Sequence, residues 1–162
     1  MKIPALKDLL RVLHFEKNRT EITIRDNSEP FEVRGTPMAV PYLPLATYLS
    51  VKVIKVRDYP TGDKNGIEIV VPDNLTYRFE NEYFCPDLDW VLSTFEISLF
   101  RIRIDIDDGE TVKNLFSGEY REIEYFAIKD FLKCCVNSID TDNIDTDGNP
   151  VLTITVREYK WN

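Results

Sequence analysis

The sequence predicts an α+β protein of two tandem, pseudo-symmetric units, each running helix, strand, strand, short helix, strand, strand. Three observations carry this prediction. Apolar residues recur at helical spacing after two prolines 82 positions apart, alternating strand patterns follow at matching places, and a glycine, a tyrosine and a closing strand then repeat in one order.

The helices come first. In "PALKDLLRVL" from Pro4 and "PDLDWVLSTF" from Pro86, Leu6, Leu9, Leu10 and Leu13 stand against Leu88, Val91, Leu92 and Phe95. That spacing is one helix face, and proline suits a first helical turn. At the same offset Ile22 and Ile24 meet Ile104 and Ile106 in period-2 stretches that read as strands, with "RDN" and "DDG" as the following turns. One inserted residue later, Gly35, Tyr42, Tyr48, Leu49 and Val53 meet Gly118, Tyr125, Phe131, Leu132 and Val136, covering the short helix and its flanks. Two further inserted residues bring Ile67, Ile69 and Val71 against Leu152, Ile154 and Val156, the closing strand. The units therefore span 3–72 and 85–158, with an aromatic connector over 73–84.

Composition narrows the class of function. With 43% hydrophobic residues in 162, the chain can bury real cores. A net charge of -8 argues against direct binding to nucleic acid and against an anionic membrane surface. Cys85, Cys134 and Cys135 lack CxxC spacing, so reduced thiols and a cytoplasmic setting are expected. Lys7, Asp8 and Arg11 interrupt the apolar start, which reads as no signal peptide, and no stretch is apolar enough to span a membrane.

Reactive chemistry is sparse. The single histidine, His14, has Glu96 as its counterpart, which suits a helix-end surface site better than a catalytic base. Cys134 matches Val51 and should pack inward, whereas Cys135 matches Lys52 and should point outward. No nucleotide-binding, hydrolase or zinc motif is present, so a non-enzyme without cofactor is expected. "NIDTDG" from Asn143 resembles the start of a calcium loop, but its twelfth position is Ile154, which cannot ligate. The stretch reads instead as a long acidic hairpin loop without a metal.

Charge divides unevenly between the units. Residues 1–85 carry twelve acids and twelve bases, and residues 86–162 carry sixteen and eight. Aligned positions change accordingly: Thr23 to Asp105, Arg25 to Asp107, Arg57 to Asp140, Thr36 to Glu119 and Ala39 to Glu122. With Phe100, Ile102, Ile104 and Ile106 facing the core, Asp105 and Asp107 line up outward. The candidate partner-binding residues are Asp105, Asp107, Asp108 and Glu110; Glu119, Glu122 and Glu124; and Asp140, Asp142, Asp145 and Asp147. Asp87 and Asp89 form a smaller group. Trp90, whose counterpart is Asp8, lies off the apolar stripe and either anchors a partner or packs on the connector or the other unit. Acidic surface serves solubility in many proteins; its confinement to one copy favours a docking face.

The segments "LKDLL", "ITIRD", "RGTPMAVPYLPL" and "IEIVV", with the looser "LDWVL", "IDIDDG", "FSGEYREIEYF" and "LTITV", resemble small acidic accessory proteins of phages and conjugative elements of Gram-positive bacteria. The resemblance implies no catalytic residues. It implies an inhibitor of a host defence protein, similar to anti-CRISPR proteins and nucleic-acid mimics, acting in the host cytoplasm. The expected partner is a host protein with a basic nucleic-acid-binding groove, such as a CRISPR effector. A structural or assembly scaffold of the element is the alternative, and a small-ligand binder or enzyme the third.

Overall fold

The computed structural model describes residues 4–14, 20–26, 32–35, 52–61, 64–71 and 85–158. The expectations for Tyr42, Tyr48, Leu49 and the connector over 73–84 lie outside the described residues. The elements of the first half are α1 (Leu6–Val12), β1 (Leu13–His14), β2 (Thr20–Asp26), β3 (Glu32–Gly35), β4 (Lys55–Thr61) and β5 (Lys64–Val71). The second half has α2 (Leu88–Thr94), β6 (Phe95–Glu96), β7 (Arg101–Asp107), β8 (Val112–Gly118), α3 (Tyr125–Ile128), β9 (Cys135–Ile144) and β10 (Pro150–Arg157). Single 3-10 turns, Tyr120–Glu122 and Lys129–Phe131, flank α3. Short helices with mixed sheets make this an α+β fold.

The two longer helices form where an apolar face and a cap coincide. Leu6, Leu9 and Val12 are buried on α1, as are Leu88, Val91 and Leu92 on α2. The first-turn amides are capped by opposite halves of a capping box. In α1 the Asp8 carboxylate reaches back to the Ala5 N–H at 2.8 Å, and in α2 the Asp87 carboxylate accepts the Trp90 N–H at 2.8 Å. Both helices then run directly into extended backbone, at Leu13 and Phe95.

Two five-stranded sheets follow, ordered β3-β2-β5-β4-β6 and β8-β7-β10-β9-β1. In the first, β2 and β5 are parallel, with β3 and β4 antiparallel to them. In the second, β7 and β10 are parallel, with β8 and β9 antiparallel to them. The last strand of each sheet comes from the other half of the chain. Phe95 and Glu96 lie parallel beside Val56 and Arg57, and Leu13 and His14 lie parallel beside Ile139 and Asp140. One continuous core joins both sheets and both helices, from Leu6, Ile69 and Val56 to Leu92, Ile104 and Ile154. The Asp58 carboxylate on β4 binds the Ser98, Leu99 and Phe100 amides, fixing the crossing between β6 and β7.

The pairing corrects one expected correspondence. Ile22 lies between Gly35 and Ile67, and Ile102 lies between Gly118 and Leu152. By pairing, Ile22 has in its sheet the place that Ile102, not Ile104, has in the other, and Thr23 and Arg25 have the places of Arg103 and Asp105. A slip of two keeps every side chain on its face, so alternation alone cannot reveal it. The acidic hairpin loop is also shorter than expected. Strand β9 continues through Ile144, leaving a turn over Asp145–Asn149 that closes with Gly148 at φ 84°.

The cysteine reading is corrected as well. Cys85 and Cys135 form a disulfide, their Cα atoms 5.7 Å apart, so Cys135 does not simply face outward. An isolated bridge between Asp87 and Cys135, with the Val136 N–H bonded to the Pro86 carbonyl at 2.7 Å, lays the start of α2 along β9 and brings Cys85 alongside. Cys134 remains a half-buried thiol against the core. Among the described residues no helix is long and apolar enough to cross a membrane.

Candidate partner-binding face

The outward carboxylates of the second half divide into those that hold structure and those that remain exposed. Asp105 belongs to the first group, which corrects its assignment as a docking residue. It is only 6% exposed, bonded by Arg103 Nε to both oxygens at 2.9 Å and by Asn114 Nδ2 at 3.0 Å. A bulge between β7 and β8 at Ile104 and Asp105 places Asn114 over the carboxylate.

Most neighbouring aspartates build turns. Asp107 is half-buried and accepts the Gly109 N–H at 2.8 Å. Asp108 accepts the Glu110 and Thr111 amides, and those bonds, Thr111 foremost, hold its carboxyl below the usual range. Gly109, at φ 94°, supplies the left-handed residue of this turn. Asp145 accepts the Asp147 and Asn149 amides, and the Asn149 bond above all lowers its carboxyl.

The four groups do not form one array. Because β7 and β10 are parallel, the turn after β7 and the turn before β10 lie at opposite ends of the sheet. Asp107 pairs with Arg157 at one end, and Val151 with Arg101 at the other. Asp140 is half-buried next to the edge strand β1, opposite His14, and Asp142 lies on β9. Asp87 and Asp89 face Lys133, at 3.9 and 3.1 Å. Trp90 is half-buried against the core, which favours its packing role over a free anchor.

The segment after β8 keeps its acids outside. Glu119 pairs with Arg121 at 2.6 Å, Glu122 is exposed but accepts the Glu119 N–H at 2.9 Å, and Glu124 and Asp130 are exposed. Among them stands Phe126, which the sequence reading did not single out and which is 81% exposed. Lys129 Nζ sits 4.3 Å from the centre of its ring. The segment is anchored rather than loose: Ile123 and Ile128 are buried beneath it, and the Tyr120 hydroxyl donates to the Leu92 carbonyl of α2. Burial, with Tyr125 nearby, pushes the Tyr120 phenol up. Phe126 was detectable as the aromatic in "EYFAIKDF" out of step with the buried Ile128. The segment offers one large exposed apolar ring, with exposed carboxylates at nearby positions of the chain.

Among the described residues no cluster of histidine, cysteine, aspartate or glutamate could hold a metal ion. No protein-family model, curated protein or solved structure matches the chain.

Proposed function

We propose that this chain is a binding protein of phage or mobile-element origin that inhibits a nucleic-acid-handling host protein, in the manner of an anti-CRISPR protein. The docking element is the Glu119–Phe131 segment rather than a continuous acidic sheet face. The observation that carries it is Phe126, 81% exposed on an anchored segment on which Glu122, Glu124 and Asp130 are exposed as well. A basic groove with an apolar notch complements such a surface, since carboxylates steer approach and a desolvated aromatic holds the complex.

Under the same proposal the chain is a tandem duplication, 3–72 and 85–158, whose short first strands are exchanged between the copies. The like strand orders and the matched edge registers support this. The host cytoplasm is the proposed place of action, where the Cys85–Cys135 disulfide would be open to reduction. The test is capture by the immobilised protein with and without competing nucleic acid. A nuclease or CRISPR effector displaced by guide RNA or duplex DNA supports inhibition. Virion proteins retained regardless of nucleic acid would replace it with an assembly role.

A further inference from the structure

The outer face of the second sheet holds an open cleft of about 320 Å³, set over β7, β10 and β9 and lined by Arg101, Arg103, Asp105, Ser117, Asn143 and Thr153 among others. Phe126, Glu122, Glu124 and Asp130 are not among its lining residues. We propose that it is a binding site for the carboxylate or phosphate group of a small molecule, gripped between Arg101 and Arg103.

Comparison of the two sheets shows why a cleft exists here. In the first sheet Gly66 pairs with Tyr59 on one side and Glu21 on the other; in the second, Val151 pairs with Asn143 and Arg101. The Tyr59 ring lies directly over Gly66, where a side chain would collide with it, and its hydroxyl is 2.6 Å from the buried Thr23 Oγ1. That ring stops up the first sheet's surface. At the matching place the second sheet has the shorter Asn143, whose amide turns down to Thr153 Oγ1 at 2.8 Å. Arg103 replaces Thr23. The plug is gone, and two guanidinium groups stand at the rim.

Those groups keep donors to spare. Arg103 engages Asp105 through Nε, and Arg101 Nε is 3.5 Å from Asp145, too long for a good hydrogen bond. Among the described residues the terminal amino groups of both arginines meet no acceptor. Two residues apart on one strand, they project from the same face about 7 Å apart. A planar fork on each side matches the paired oxygens of a carboxylate or phosphate. The nearby carboxylates are already committed, Asp105 to Arg103 and Asn114, and Asp145 to its turn amides. The cleft is thus a donor-rich spot within the acidic half of the chain.

The test is titration of the intact protein with inorganic phosphate and, separately, with succinate, followed by amide and arginine Nε–H shifts in nuclear magnetic resonance. A saturable response centred on Arg101, Arg103, Ser117 and Asn143 is expected, and the tighter ligand names the anion class. Arg103→Gln would strip Asp105 of its partner and disturb the fold, so two other variants carry the test. Arg101→Gln removes one fork, and Asn143→Tyr with Val151→Gly rebuilds the plug while leaving both arginines. Each should weaken binding at least tenfold with the folded spectrum preserved. No saturable response, or unchanged affinity in either variant, overturns the proposal.

Discussion

The carboxylate of Asp58 accepts the backbone amide of Leu99 at 2.6 Å, forty-one residues along the chain. The amides of Ser98 and Phe100 converge on the same group at 3.0 Å, as does the Ser98 hydroxyl at 3.2 Å. One side chain of the first sheet thereby satisfies three consecutive donors where the chain passes from β6 into β7. Asp58→Ala leaves those amides to water and releases the crossing. Denaturant unfolding should show a loss of about 1–3 kcal/mol, and Asp58→Asn, which keeps one acceptor, a smaller one.

The Cys85–Cys135 bond joins residues 50 apart. The chain-entropy estimate for a loop of that length is about 4 kcal/mol of stabilisation. Reduction, or Cys85→Ser, should lower the melting temperature measurably, whereas Cys134→Ser should respond to reductant as the native chain does. Equal melting with and without reductant would show that the bond contributes nothing.

Asp108 and Asp145 both have carboxyls held below their usual range by turn amides. A lowered folded-state value stabilises the fold above the unfolded value, near pH 4, and that contribution fades as pH falls through the folded values. Side-chain carbon shifts followed in an acid titration should place both midpoints below the ordinary aspartate value of about 3.9. Asp145→Asn should flatten its share of the acid dependence.

Binding to a basic partner should separate into two effects. Glu122→Lys with Glu124→Lys should slow association, and added salt should do likewise, since the Debye length falls from about 10 Å at 0.1 M to about 3 Å at 1 M. Phe126→Ala should leave stability unchanged and speed dissociation. Asp105→Lys should act differently again, lowering stability because it removes the acceptor of Arg103 Nε and sets a second positive charge beside it at a buried position. If association proved indifferent to salt and to the glutamate reversals, the acids would serve solubility alone.

The helices and the core strands were legible because each writes a period in the sequence. Leu6, Leu9 and Val12, or Ile102, Ile104 and Ile106, are apolar at the steps that bury them. Pairing partners leave no such trace. A two-residue slip preserves alternation, so the sequence aligns Arg25 with Asp107 although by pairing Arg25 has the place of Asp105. Carboxylates are harder still, because Asp105 beneath Arg103 and the exposed Glu124 are equally acidic on paper. The disulfide depended on a bridge between Asp87 and Cys135 that spacing does not encode. Phe126 leaves no mark of its exposure, because an aromatic within "IEYF" reads as core until burial is known.

Phe95 and Glu96 cover the edge of β4 at Val56 and Arg57, and they emerge from the ribosome well after β4 itself. Until then the nascent first sheet carries an open row of peptide groups, the kind of edge that recruits stray strands. Leu13 and His14, made early, must wait still longer for Ile139 and Asp140. Neither half can finish alone. Synthesis order therefore imposes a late, joint completion on the whole chain, and a product truncated before residue 95 would be left with an unguarded β4 edge.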